Sequence, residues 1–212
     1  MEFEFFLNNI ESIKDIKLPG IEAQFKLAPK MRLEYNAKKI KAHKPKIAAV
    51  LALFYPNQNN QVSLLLTKRA NYNGTHSGQI SFPGGKIEIS DLNLKKTALR
   101  ETFEEVGVLQ EKINIVRECT EVYIPPSNFL VTPFIGVINH EPIFKLNSEV
   151  AEIIGVPFHD LLDDNNIESI SITNSYMKET RVPCFNFHDS IIWGATAMIL
   201  SEVKELLKNM KP

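Results

Sequence analysis

A glycine pair, Gly84-Gly85, leads into a segment where Glu101, Glu104 and Glu105 recur at i, i+3 and i+4, and no other part of the chain limits its folding as tightly. In a helix these three acids share one side. Clustered like charges weaken an isolated helix, so the stripe calls for an outside partner. A divalent cation supplies one, and carboxylate oxygens are hard ligands suited to Mg2+ or Mn2+. At about 100° per residue, Leu99, Thr102, Phe103 and Val106 form the expected packing arc, opposite Thr97, Glu101, Glu104 and Glu105. The helix is expected from Asn93 to Val106, closed by Gly107. Arg100 borders the acidic face, where it can orient a glutamate or contact a phosphate. Taken alone, the stripe would read as an ordinary solvated face. The turn Phe82-Pro83-Gly84-Gly85 shifts that balance, because backbone without side chains can approach a phosphate or a cation closely.

The rest of the chain provides a layered α/β context. Lys46–Tyr55 and Val62–Lys68 read as a hairpin around Pro56-Asn57-Gln58-Asn59-Asn60-Gln61, and Ile80–Phe82 as a short strand before the glycine turn. Further strands are expected at 113–122, 134–138, 167–173 and 182–187, a short helix at 148–154 and an amphipathic helix at 191–209. Residues 3–17 have a helical period ending before Pro19-Gly20, and the basic stretch 24–45 reads as a solvated loop. Helices between and after mixed strands predict an α/β domain with helices packed on a sheet. The 212 residues, 44% hydrophobic and 23% charged, suffice for one core.

A net charge of −1 leaves no basic footprint for nucleic acid and no attraction to an anionic membrane. No apolar run is long enough to span a bilayer, and Met1-Glu2-Phe3-Glu4 lacks the basic start of a targeting peptide. Cys119 and Cys184 read as free core thiols of a reduced, intracellular protein, and no Cys/His cluster has zinc spacing. A cytoplasmic location is the expectation.

Lys68 and Arg69 end a strand with positive charge, and His76, Ser77 and Gln79 offer donors near the glycine turn, a set suited to a ligand with several phosphates. Arg69 is the first choice among them. Glu149 and Glu152 beyond the acidic helix are a further ligand or base, or the surface of a capped helix. Trp193, followed by Gly-Ala-Thr-Ala, is expected in the core rather than as a platform for an adenine.

Gly85, Arg100-Glu101, Glu104-Glu105, Gly107 and Val108 resemble the Nudix box. Asp91 replaces the first glutamate of that pattern and reads as a helix cap, eight residues rather than seven precede Arg100, and Thr102 fills an aliphatic position. The resemblance implies an α/β/α sandwich with a mixed central sheet, residues 46–212 being the Nudix domain and 1–45 a helix and arm outside it. It also implies a cation held by Glu101, Glu104, Glu105 and the carbonyl of Gly85, with Glu101, Glu104 and Arg100 in the catalytic machinery. The stretch from Leu65 to Gly85, with Leu-Leu-Thr-Lys-Arg and His-Ser-Gly-Gln-Ile-Ser-Phe-Pro-Gly-Gly, is similar to the signature of the coenzyme A pyrophosphatase branch. That likeness implies cleavage of coenzyme A or its thioesters to adenosine 3′,5′-bisphosphate and 4′-phosphopantetheine. Two other readings stand beside it: a Nudix diphosphatase acting on ADP-ribose, dinucleotides or nucleotide sugars, and a non-catalytic Nudix-like sensing or interaction module. A homodimer built through residues 1–45 is a further expectation.

Overall fold

The computed structural model describes residues 1–70, 78–174 and 177–211. The chain opens with α1 (Phe3–Asn9), which tightens into a 3₁₀ turn over Ile10–Lys14, then α2 (Gly20–Phe25), a 3₁₀ turn over Lys30–Glu34, and α3 (Ala37–Ala42). The strand β1 (Lys46–Pro56) organises the central sheet. It pairs antiparallel with β2 (Val62–Arg69) and, at Ala48–Val50, with β4 (Gly84–Lys86); β3 (Ile80–Ser81) pairs with Thr67 and Lys68 of β2 on the same side of β2 as β1. After α4 (Leu94–Val106) come β5 (Asn114–Glu118), β6 (Val122–Ile124) and β7 (Phe129–Val137), both earlier strands pairing antiparallel with β7. The β7 strand runs parallel to β1 from Lys46↔Phe129 to Phe54↔Val137, which makes the central sheet mixed. The chain continues through β8 (Val150–Pro157), antiparallel to β2, and α5 (Phe158–Leu162) to β9 (Ile167–Asn174), β10 (Met177–Phe187) and β11 (Ser190–Trp193), a separate three-stranded antiparallel sheet. It ends in α6 (Gly194–Lys208).

The two-residue period of β1 sorts its side chains into two cores. Ala49, Leu51, Leu53 and Tyr55 pack against Ala98, Leu99 and Val106 of α4. Ala52 and Phe54 face the other way and join Phe6, Met198, Val203 and Leu206. The result is an α/β/α sandwich: α4 on one face, α6 and α1 on the other. Among the described residues no helix is long and apolar enough to cross a membrane. Both cysteines are buried and unbridged.

The sequence expectations need five corrections. Segment 24–45 is not a solvated loop, since Gln24, Leu27, Ala28 and Arg32 are buried. The Gln24 amide donates to Glu202 Oε2 and to the carbonyl of Thr120, both at 2.8 Å, and Ser201 Oγ donates to the carbonyl of Ala23, so polar groups from three segments satisfy one another in the interior. Segment 148–154 is a turn followed by strand from Val150 rather than helix, because seven residues of β2 provide a ladder from Ser63↔Pro157 to Arg69↔Val150 and tertiary pairing overrides weak local preference. On α4 the buried arc is rotated toward small and polar groups: Ala98, Thr97 and Glu105 are buried while Phe103 is 43% exposed. Thr102 hides its hydroxyl by donating to the Ala98 carbonyl at 2.7 Å. Finally, 113–122 breaks into β5 and β6, and 191–209 begins as strand β11 before turning helical at Gly194.

Phe6 anchors the N-terminal segment, with its ring 5.2 Å from that of Phe54 and 5.5 Å from that of Phe158. Phe6→Ala is expected to destabilise the protein by about 3 kcal/mol, read as a lower urea midpoint with an unchanged slope. An unchanged midpoint would mean that this segment does not share the core.

Candidate active site

A glycine turn brings α4 and β1 together. Gly84 has φ +152°, and a Cβ there would meet the Ala49 carbonyl oxygen at 2.3 Å, so only glycine allows β4 to lie against β1. At Gly85 a Cβ would sit 2.6 Å from the carboxylate of Glu101, which leaves that carboxylate directly over bare backbone. The helix is started by Asn93, whose side chain accepts from the Lys96 N–H at 3.0 Å, and stopped by Gly107 in the left-handed region at φ 75°.

Asp91 does not cap the helix. Its carboxylate accepts from Arg100 Nε at 3.0 Å and Nη2 at 2.9 Å, from Thr97 Oγ1 at 2.9 Å and from the Glu88 N–H at 2.9 Å. This bidentate grip holds the Asp91 carboxyl down at about 2. Held in this way, Arg100 turns Nη1 to Glu101 Oε1 at 2.9 Å and Glu104 Oε2 at 3.0 Å.

The three glutamates have three different surroundings. Glu105 is 4% exposed, accepts from the Gly84 N–H, and has its Oε2 buried without a hydrogen-bond partner. Burial, with Glu101 and Glu149 adding to it against the opposing Arg69, pushes its carboxyl up to about 7. Burial also raises Glu101, partly offset by Arg100. Glu104 has a half-exposed side chain turned to Arg100.

Glu101 and Glu105 line a cleft of about 530 Å³ with Gly84, Gly85, Arg69 and Gln79. Arg69 Nη2 lies 3.6 Å from Glu149 Oε2, and Glu149 also lines the cleft. Glu152 sits on β8 beside Lys68, Nζ to Oε2 3.5 Å, and neither of these, nor Arg100 or Glu104, is part of the lining. His76 lies outside the described residues. Ala48 and Val50 of β1 and Phe129 and Val131 of β7 make an apolar floor, residues that alternate on one face of the sheet. The far wall was not expected from sequence. It comprises Pro29, Met31 and Arg32 of the N-terminal segment, Tyr123, and Trp193, which is half-buried on the lining rather than in the core. Only the aromatic character of Trp193 hinted at this role. The start of α6, which lacks a side-chain cap, lines the cleft too and turns its positive end toward it.

Among the described residues no three acidic, histidine or cysteine side chains stand together as a ready cation site. Two observations nonetheless fit a cation at the glycine turn: the unpartnered Oε2 of Glu105, and the bare backbone at Gly85 under the Glu101 carboxylate. Two carboxylates and a carbonyl are hard oxygen donors, and Mg2+ in particular completes such a partial set with water.

The NUDIX domain family model matches residues 45–175. A protein of Yersinia pestis (strain Pestoides F), called "Uncharacterized Nudix hydrolase NudL", is 32% identical over 144 residues, covering 68% of this chain and 71% of that protein. A solved Nudix hydrolase from M. Smegmatis, RenU, matches 79% of this chain and 89% of its own at 17% identity with a TM-score of 0.55, a likeness of fold alone. The chain therefore belongs to the NUDIX domain family. Within it, the chain is a Nudix hydrolase.

Proposed function

We propose that the chain hydrolyses the pyrophosphate bond of coenzyme A and its thioesters, giving adenosine 3′,5′-bisphosphate and (acyl-)4′-phosphopantetheine. The observation that carries this reading is a convergence: Arg69 and Gln79, from the stretch that resembles the coenzyme A pyrophosphatase signature, line the same cleft as Glu101, Glu105 and Gly85. Glu101, Glu105 and the Gly85 carbonyl would hold Mg2+ or Mn2+, and Glu104 would add a ligand on leaving Arg100. The ion, when bound, neutralises charge on the pyrophosphate and makes water more acidic.

The protein's own groups do the rest. Arg100, clamped by Asp91, fixes the direction of Glu101. Arg69 turns its guanidinium from Glu149 to a phosphate oxygen, which frees Glu149 at the rim to take the proton of the attacking water at its carboxylate. The apolar floor keeps bulk water from the reacting phosphorus. Lys68 and Glu152 pair with each other beyond the lining and stay outside this contact set, and His76 enters it only as the resemblance implies.

The test is the product mixture. With millimolar Mg2+ or Mn2+, coenzyme A is expected to yield the two named products by mass spectrometry. Intact coenzyme A beside rapid turnover of ADP-ribose would overturn the substrate assignment.

A further inference from the structure

Arg32 is the least expected group in the cleft. It is 5% exposed, yet it has no ion-pair partner among the described residues. Its one hydrogen bond runs from Nη1 to the carbonyl of Tyr35 at 3.0 Å, and its buried Nε has no partner. The guanidinium lies 5.4 Å from the centre of the Phe25 ring and 5.9 Å from that of Tyr123, so aromatic faces hold it in place without neutralising it. Burial with no carboxylate alongside lowers its pKa. An unpaired buried cation is costly, and a cleft-lining one is relieved when an anion arrives.

The sheet shows which anion this is not. Gly85 of β4 pairs with Ala49 of β1, β1 with β7, and β7 with Tyr123 of β6. Three inter-strand spacings, about 14 Å, therefore separate the glycine turn from the strand on which Arg32 leans. One pyrophosphate cannot touch both ends. The floor between them is apolar and suits the body of a nucleotide rather than its charges.

We propose that Arg32 is a specificity-determining residue that binds a second phosphate, a monoester carried by the substrate away from the pyrophosphate to be cleaved. The ligand class is a nucleotide pyrophosphate with an additional phosphomonoester. This rests on the coenzyme A reading, in which the 3′-phosphate of the ribose is that group. The planar fork of donors matches a phosphate, and the uncapped start of α6 on the same lining adds to the positive field. The recognition element would then lie outside residues 45–175, the span that the NUDIX family model matches.

The experiment compares coenzyme A with 3′-dephospho-coenzyme A on the full chain and on Arg32→Gln and Arg32→Lys. The ratio of kcat/KM for the two substrates is expected to favour coenzyme A in the parent and to fall about 10- to 100-fold in Arg32→Gln. Arg32→Lys, which keeps the charge and serves if glutamine disturbs folding, is expected to retain an intermediate ratio. A ratio unchanged by both substitutions, or a loss equal for both substrates, would overturn the proposal. A second readout needs no turnover. Adenosine 3′,5′-bisphosphate should bind the parent about 10-fold or more tighter than AMP by calorimetry in the presence of chelator, and Arg32→Gln should erase the difference. Equal binding of the two by the parent would sink the second-phosphate site. If neither coenzyme is cleaved while the calorimetric difference stands, the coenzyme A reading has failed and Arg32 has not.

Discussion

Glu105→Gln is expected to lower kcat by about 10²- to 10⁴-fold while making the cation-free protein more stable than its parent, by about 1–3 kcal/mol. Both effects follow from one placement. The Glu105 carboxylate is buried, its Oε2 has no donor, and Glu101 and Glu149 add negative charge nearby. Such a group costs stability until a cation arrives. Glutamine keeps an acceptor for the Gly84 N–H and removes the charge. Thermal unfolding in chelator, then with Mn2+, separates the two contributions: the parent should gain stability on adding Mn2+ and the variant little. Parent-like turnover in Glu105→Gln would remove this residue from the chemistry. A metal-free variant less stable than its parent would contradict the account of its burial.

Arg100→Met should cost about 3 kcal/mol of stability and about 10²-fold in kcat. The Asp91 side chain is only 4% exposed, and removing Arg100 leaves it charged with no cation beside it. Glu101 and Glu104 lose the guanidinium that orients them, and small misplacements of catalytic groups are expensive. The acid dependence provides an independent signature. The Asp91 carboxyl is held at about 2, below its ordinary 3.8, so the folded form releases a proton that the unfolded chain keeps at intermediate pH. Its stabilising contribution is complete above pH 3.8 and disappears as the pH falls through about 2. Urea titrations between pH 2 and 5 should show this rise in the parent and not in Arg100→Met. Adding Asp91→Asn to that variant should restore part of the lost stability. A double variant less stable than the single one would show that Asp91 is held by something other than Arg100.

Several parts of the fold were readable because their causes are local. The helix α4 starts at an Asn cap and ends at a left-handed Gly, and both signals lie within a few residues of the boundary they set. The β1–β2 hairpin likewise follows from two apolar runs around a polar turn. Segment 148–154 was misread because a short run holding Val150, Glu152, Ile153 and Ile154 fits either period, and its ladder partner β2 is some eighty residues earlier. Arg32 gave no signal at all. A basic residue in a basic stretch looks solvated until Phe25, Tyr35 and Tyr123 are seen to enclose it.

The linear order of residues determined the glycine turn, the acidic helix after it and the alternation that gives β1 two buried faces, since each depends on neighbours a turn or a strand step away. Tertiary structure alone decided which glutamate is buried, which is clamped and which is exposed, and it carried an N-terminal arginine to the far wall of the cleft. The chemical identity of Glu101, Glu104 and Glu105 is the same. Their differing electrostatics arise from the strands, turns and guanidinium groups that packing places around each one.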